Sequence, residues 1–438
     1  MTTAWDYRKN YRGVAKQSLF PKLMDKMVNL KVQNHVFDAI NESQHGFISG
    51  RSCTTNLIEL HSFLAKELEK PTTKQIDIIY NDMTSAFDKV NINIVLKCLE
   101  QHGIIGSLLD WFKSFLHDRR QYVAIRNCKS NIFIVPSGVP QGGHCSPTLF
   151  NLVINFAPTT IENGMTSFYA DDSKIVKIIS KLEDCEALQQ DNMNFVNFCV
   201  NFGLTVNQTK CKMMTVSRSR NLIYNDYHIN GELIERVNKF NDLGLVFNSR
   251  LNFSDDSAFR TAKAKSTLGL IKRLAPSLGT PKTLMTLYTS LVRSKLEYAN
   301  IIWSPTCSSI RDDSEKIQRR FLHFLDNYSN LNYDELCQKY DMEKLQDRRK
   351  LASIMFCYDI VTNKINCPSI LSQLNLHCPN RRMRNNEFFR PERHTTNYGM
   401  MEPINVIQRE FNEVSFLFDF NMSRNNFKER VTNFLKCN

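Results

Sequence analysis

The chain has 438 residues, 42% of them apolar and 23% charged, a balance typical of a globular protein large enough for roughly two to four cooperative units. No apolar run approaches the roughly 18 residues that span a bilayer, and the segment from Met1 to Lys9 lacks the apolar stretch of a secretion signal. A formal net charge of +12 favours a polyanionic partner, although a basic surface kept for solubility gives the same number.

Residues 1–75 are mixed and polar, closing on a turn at Lys70-Pro71-Thr72-Thr73. Gln75 to Asp82 is a predicted strand, rich in β-branched residues and running into carboxylates. The spacing of Ile94, Val95, Cys98 and Leu99 predicts a helix from Asn91 to His102, ended by Gly103, and a second helix follows over 106–118. Tyr122 to Ile125 and Ile132 to Val135 read as two short strands about a polar turn. Ser137 to Gly143 is a loop by composition, and Ser146 to Ile161 a helix with Pro147 in its first turn. Ser167 to Ala170 and Ile175 to Ile179 form apolar arms about Asp171-Asp172-Ser173, a hairpin pattern. A helix over 181–201 and a strand over 211–216 complete an α+β region. Beyond 255 the pattern becomes helical: Ala264, Leu268, Ile271 and Ala275 line one stripe, and Leu284, Leu287, Tyr288, Leu291 and Val292 another. The tail past 365 is polar and basic, carries Arg381-Arg382-Met383-Arg384, has no long periodic stretch and reads as only partly ordered.

Thirteen cysteines without a Cys-x-x-Cys pair argue against a disulfide framework or zinc ribbon and for reduced thiols inside a cell. The carboxylates say more. Asp82 ends a predicted strand, and Asp171 and Asp172 sit at the tip of a predicted hairpin. Two-metal phosphoryl transfer needs anionic oxygens bridging two divalent ions about 3.5–4 Å apart, and Mg²⁺ takes hard oxygen ligands, few of them from protein. An acidic pair in a turn is also what a solvated turn looks like. Here Phe168, Tyr169, Ile175 and Val176 draw the pair toward a core, where charge without a cation is costly. Asp88 reads as a helix N-cap before it reads as a ligand.

These residues stand in a recognisable order. Asp82-Met-Thr-Ser-Ala86-Phe87-Asp88, then Ser137-Gly138-Val139-Pro140-Gln141-Gly142 with Ser146-Pro147, then Tyr169-Ala170-Asp171-Asp172 resemble the palm motifs of reverse transcriptases, nearest those of non-LTR, jockey-like retrotransposons. Asn10-Tyr11-Arg12-Gly13-Val14 resembles a fingers motif, with Gly13 in place of proline. Gln44-His45-Gly46-Phe47 with Gly50-Arg51-Ser52 resembles the block before the first palm motif. Leu204, Asn207 and Lys210 resemble a later palm motif, and the segment from Leu291 to Pro305 resembles the thumb.

The resemblance implies a right-hand polymerase: partial fingers over 1–75, a palm over 76–250 with an antiparallel sheet backed by helices (106–135 serving as fingers or palm), a helical thumb over 255–365 and a C-terminal region over 366–438. It implies RNA-directed DNA synthesis from RNA template, DNA primer and dNTPs, with two Mg²⁺ ions (or Mn²⁺) on Asp82, Asp171 and Asp172. Phe87 would exclude a 2′-hydroxyl, though it could be a plain core aromatic. Gln141 and Gly142 would border the incoming nucleotide, Arg12 would clamp its triphosphate, and Lys210 would assist the leaving pyrophosphate unless it is only a surface lysine. Arg51, Lys265 and Lys272 would contact nucleic acid. The motif at Arg12 stands close to the start of the chain, so the expected copy is N-terminally shortened and lacks an endonuclease; a remnant that only binds nucleic acid is the alternative. A ribonucleoprotein of cytoplasm and nucleus, with no membrane attachment, is the implied setting.

Overall fold

The structure is a computed structural model that describes residues 13–278, 280–304, 308–327, 329–378 and 387–437. Two compact units emerge. The first takes in residues up to Ile48, Asp77–Met213 and Ile223–Arg236; the second takes in Ser49–Ile76, Met214–Leu222 and Val237 onward. The stretch expected as one fingers segment, 1–75, is therefore divided after Ile48. Its helix Cys53–Glu69, opened by a Ser52/Thr55 capping box, belongs to the second unit.

The principal sheet has five strands: β1 Gln75–Asn81, β2 Met165–Tyr169, β3 Asp172–Ile179, β4 Lys212–Ser217 and β5 Glu235–Arg236, in the order β5-β4-β1-β3-β2. β1 is central and buried at every residue, including the polar Gln75, Asp77 and Asn81. β2 and β3 pair antiparallel, ending on Tyr169 opposite Asp172. Ala170 and Asp171 are thus a two-residue turn, the hairpin the sequence pattern predicts. The sheet expected to be antiparallel includes a parallel pairing: β5 runs parallel to β4. A parallel neighbour needs a crossover, and residues 218–234, with their own small hairpin at His228–Ile229 and Glu232–Leu233, supply it.

Helices Ile92–Gln101, Gly106–Leu116, Cys145–Ile154 and Leu182–Asn201 share one core, which includes Val95, Leu99, Phe112, Leu149, Val153, Phe168, Ile175, Leu188 and Phe195. The helix expected to run to Ile161 stops at Ile154 and resumes as the 3₁₀ turn Ala157–Thr160, because Pro158 cannot donate to a continuing helix. Asp88 is not an N-cap. It lies inside the short helix Ala86–Lys89, and the cap of the next helix is Asn91, whose side chain accepts from Asn93 N at 2.9 Å.

In the second unit, Ala264, Leu268 and Ile271 of helix Ser254–Leu278 pack with Leu284, Tyr288, Val292 and Phe321. Leu291, expected on the same stripe, is exposed. The α-helix Pro281–Leu287 passes into a π-helical turn, Tyr288–Arg293, and the wider turn rotates Leu291 out of register. The tail differs from its expectation as well. It forms helices Pro403–Asn412 and Arg424–Cys437, held by edge-on and tilted rings of Phe388, Phe389, Phe411, Phe418 and Phe427. Those contacts come from turns as much as helices, so no helical period announces them. The basic run Arg381–Arg384 lies outside the described residues, and among those described no helix is long and apolar enough to cross a membrane.

Candidate active site

Asp82 follows β1 directly, and β1 lies beside β3, whose first residue is Asp172. The carboxylates expected at strand ends thus belong to neighbouring strands of one sheet. Asp171 is half-buried and Asp172 exposed. The Asp82 side chain is 32% exposed, yet its Oδ2 is buried and has no hydrogen-bond partner among the described residues. The Lys210 ammonium stands 3.4 Å from that oxygen, with the lysine itself 59% exposed. Behind the acid, burial pushes the Cys211 thiol up to about 11, so a neutral group backs the carboxylate.

Asp82 is fixed by its backbone. Its carbonyl accepts from Asn207 N at 2.7 Å, Asn207 O accepts from Lys210 N at 3.1 Å, and Thr84 N donates to Thr205 O at 2.8 Å. The segment Leu204–Lys210 therefore wraps the end of β1 and delivers Lys210 to it.

A second segment fixes the hairpin tip. Ala170 adopts a positive φ of 55°, a left-handed conformation that costs a non-glycine residue about 1 kcal/mol or more. Gln44 Oε1 accepts from both Ala170 N and Gly46 N, each at 2.8 Å, while His45 N donates to Phe168 O and Phe168 N to Ser43 O, each at 2.9 Å. Asn151 Nδ2 donates to Gly46 O at 2.8 Å. A Cβ on Gly46 would stand 2.4 Å from Ala170 N, so only glycine lets the two backbones approach this closely.

A third segment carries Gln141. Gly138 N donates to Val90 O at 2.7 Å, Val139 N to Phe87 O at 2.8 Å, and Ser137 Oγ to Asp88 O at 2.9 Å. Gly138 has φ +79°, and a Cβ there would fall 2.5 Å from Asp88 O. Arg119 Nη2 ties down the same turn through Ser137 O at 2.8 Å and Gly138 O at 2.6 Å. The Phe87 ring, half-buried, stacks on Phe150 with centroids 4.7 Å apart and meets Phe47 edge-on at 6.1 Å. Packed from two sides, it is held in one orientation. Gln141 O accepts from Ala15 N at 2.7 Å, and Gly142, at φ +110°, faces Ala15 O and Val14.

Three positioning residues gave no sequence signal of their own. Asp25, fully buried on helix Leu19–Val36, accepts from His144 N at 2.6 Å and Cys145 N at 2.9 Å, capping the helix after the Gln141 loop. Arg119 read as one basic residue among many. Gln44 stood inside a motif without a role.

The remaining expected residues lie elsewhere. Arg12 is outside the described residues. Arg51 belongs to the second unit, where its Nε donates to Asn366 O at 3.3 Å. Lys265 is exposed, whereas Lys272 is half-buried with its ammonium 4.8 Å from the centre of the Phe324 ring.

An α+β sheet with a carboxylate-tipped hairpin beside a central strand ending in aspartate has the layout of a polymerase palm. Residues 5–247, more than half of the chain, match the family described as reverse transcriptase (RNA-dependent DNA polymerase), and the chain belongs to that family. It is 27% identical over 287 residues to the RNA-directed DNA polymerase from mobile element jockey of Drosophila melanogaster, covering 62% of this chain and 31% of that protein. It is 26% identical over 208 residues to the Pol polyprotein from the type-1 retrotransposable element R2 of Popillia japonica, covering 44% and 34%. The chain thus spans about a third of the length of these relatives. Among solved structures, apo telomerase from Candida tropicalis aligns with a TM-score of 0.42 at 12% identity, over 80% of this chain and 55% of that one. That likeness is too distant to position any residue.

Reverse transcriptases depend on divalent metal, and two features of the palm suit one. The donors are carboxylates, the hard ligands Mg²⁺ prefers, and a buried Asp82 oxygen lacks a hydrogen bond. Among the described residues no three His, Cys, Asp or Glu side chains close into a metal cluster of their own. A small ion that keeps water and substrate oxygens in most of its coordination sphere has no need of a closed protein cage.

Proposed function

We propose that this chain is an RNA-directed DNA polymerase, extending a primer 3′-hydroxyl with dNTPs on an RNA template during retrotransposition. The observation that carries the reading is the juxtaposition of Asp82, with its buried unbonded oxygen, and the Asp171–Asp172 turn on neighbouring strands. Asp82, Asp171 and Asp172 would hold two Mg²⁺ ions, with Mn²⁺ as a substitute; bound there, the metals make the primer hydroxyl more acidic and neutralise the departing pyrophosphate.

The chain's own residues orient and select. The Phe87 ring, braced by Phe150 and Phe47, is a wall that cannot swing aside to admit a 2′-hydroxyl. Gln141 and Gly142, on a loop bonded through its backbone to Phe87, border the nucleotide beside that wall. Lys210 is placed by Asn207 to offset negative charge next to Asp82, and Arg12 would bind the triphosphate. Arg51 and Lys265 would contact nucleic acid; the packing of Lys272 on Phe324 leaves it the weakest of the three. A ribonucleoprotein of cytoplasm and nucleus is the setting that fits such an element.

Primer extension on an RNA template, comparing wild type with Asp171→Asn, tests the reading. Incorporation by the wild type and loss of at least a thousandfold in the variant is expected, the scale on which removal of a group central to transition-state stabilisation is felt. Folded protein that binds primer-template yet incorporates no more than the variant would sink the proposal.

A further inference from the structure

A polar pocket of about 240 Å³ lies within the second unit, below the roughly 300–1,000 Å³ of drug-sized sites and suited to a small group. Arg349 and Ser353 reach it from one face of helix Leu345–Val361, Arg409 and Glu410 from helix Pro403–Asn412, Arg311 from helix Ser308–Leu325, and Asn300 from the short helix Asn300–Trp303.

The feature that asks for a ligand is Arg349. It is 4% exposed, and neither Nη1 nor Nη2 has a hydrogen-bond partner among the described residues. Glu315 Oε1 is 3.6 Å from Nη2, beyond hydrogen-bond reach, and the Trp303 ring centre is 5.9 Å from the guanidinium carbon. The neighbouring Ser353 Oγ is also buried and stands against the Glu410 carboxyl. A buried donor left without a hydrogen bond is costly, and more so when it is charged. Arg311 and Arg409 add like charge at the same pocket. Its one acid, Glu410, is pushed by burial up to about 7, so near neutrality about half of it is uncharged and able to donate.

We propose that this pocket binds a single phosphate group, gripped by the Arg349 fork, with Arg311 and Arg409 at its rim. The planar guanidinium offers two parallel N–H groups to two phosphate oxygens, and Ser353 and Asn300 add neutral donors. Two sources carry the group: a diester in an RNA backbone, or free orthophosphate. The pocket lies outside the palm, and its test needs no polymerase activity.

Arg349→Met is the direct variant, but its burial puts folding at risk; Arg311→Gln with Arg409→Gln changes exposed side chains and keeps the test open. Thermal unfolding of the full chain is followed with inorganic phosphate against chloride at equal ionic strength. Affinity for a single-stranded RNA oligonucleotide is followed against salt concentration. Lys428→Gln with Arg430→Gln, both exposed on the last helix, is the charge-matched control. A phosphate-dependent rise in Tm that the rim variant loses and the control keeps assigns free phosphate. A salt slope that falls in the rim variant by about 0.7 per lost phosphate contact, beyond the fall in the control, assigns the backbone diester. A rim variant equal to the control in both measurements overturns the proposal.

Discussion

Gly46→Ala is the sharpest probe of how the hairpin tip is placed. The added Cβ would stand 2.4 Å from Ala170 N and 3.0 Å from the Tyr169 carbonyl carbon. Ordinary contact begins near 3.4 Å, so the turn must retreat by about 1 Å. That retreat stretches the 2.8 Å bond from Ala170 N to Gln44 Oε1 past hydrogen-bond length. Overpacking of this kind costs about 1–3 kcal/mol, or several degrees of Tm in a chain this long. The chemical consequence is larger, because the turn carries Asp171 and Asp172: a displacement of about 1 Å at a reacting centre costs on the order of a hundredfold in rate. Single-nucleotide primer extension with thermal unfolding on the same samples measures both. A variant within twofold of wild type in kcat/KM and unmoved in Tm would refute the reasoning, since the tip could then not depend on this close approach.

Three further outcomes follow from the same geometry. Gln44→Ala removes the acceptor of two buried N–H groups and should lower stability by about 2–4 kcal/mol, seen as a fall in the denaturation midpoint at unchanged m; a fall under 0.5 kcal/mol would show that the turn holds itself. Lys210→Ala breaks an ion pair at a largely exposed lysine, so stability should change by less than about 1 kcal/mol while single-turnover incorporation slows tenfold or more; equal rates would return Lys210 to the status of a surface residue. Burial raises Glu410 from 4.5 to about 7, so the folded chain binds this proton more tightly than the unfolded chain. The stability from that proton is full below about pH 4.5 and is lost as pH rises through about 7. Glu410→Gln should therefore be the more stable protein above pH 7, by about 2 kcal/mol once partial solvent contact is allowed for, and the gap should close toward pH 4; a pH-independent gap would contradict this.

The central strand, the hairpin and the helices around them were legible because burial leaves its period in the residues. β1 is rich in β-branched residues; the arms of the hairpin are apolar while its tip is acidic. What stayed hidden has no local signature. Asp25 caps a helix that begins at Cys145, and nothing around Asp25 says so. Arg119 gains its role only when the chain brings Ser137 and Gly138 to it. The helices of the tail owe their packing to rings drawn from loops and helices together, and Leu291 was assigned to a buried stripe because a π-turn breaks the period that had predicted it.

The close approaches make the segments around the carboxylates depend on one another. Each motif is held by the backbone of another: Gly46 against Ala170, Gly138 against Asp88, Asn207 against Asp82. At the first two contacts a side chain larger than hydrogen would push the Asp171-bearing turn, or the short helix that holds Phe87 and Asp88, out of place. At the third, a backbone hydrogen bond sets where Lys210 can reach. Asp82, Asp171 and Asp172 therefore depend for their placement on residues that carry no charge. If the proposed function holds, a substitution at Gln44 or Gly138, neither of which bears a charge, should disturb the same chemistry as one at an aspartate, because it moves the segment that carries the aspartate or the Phe87 ring. That is the physical difference between this turn and a solvated acidic one, whose neighbours could change freely without displacing anything that reacts.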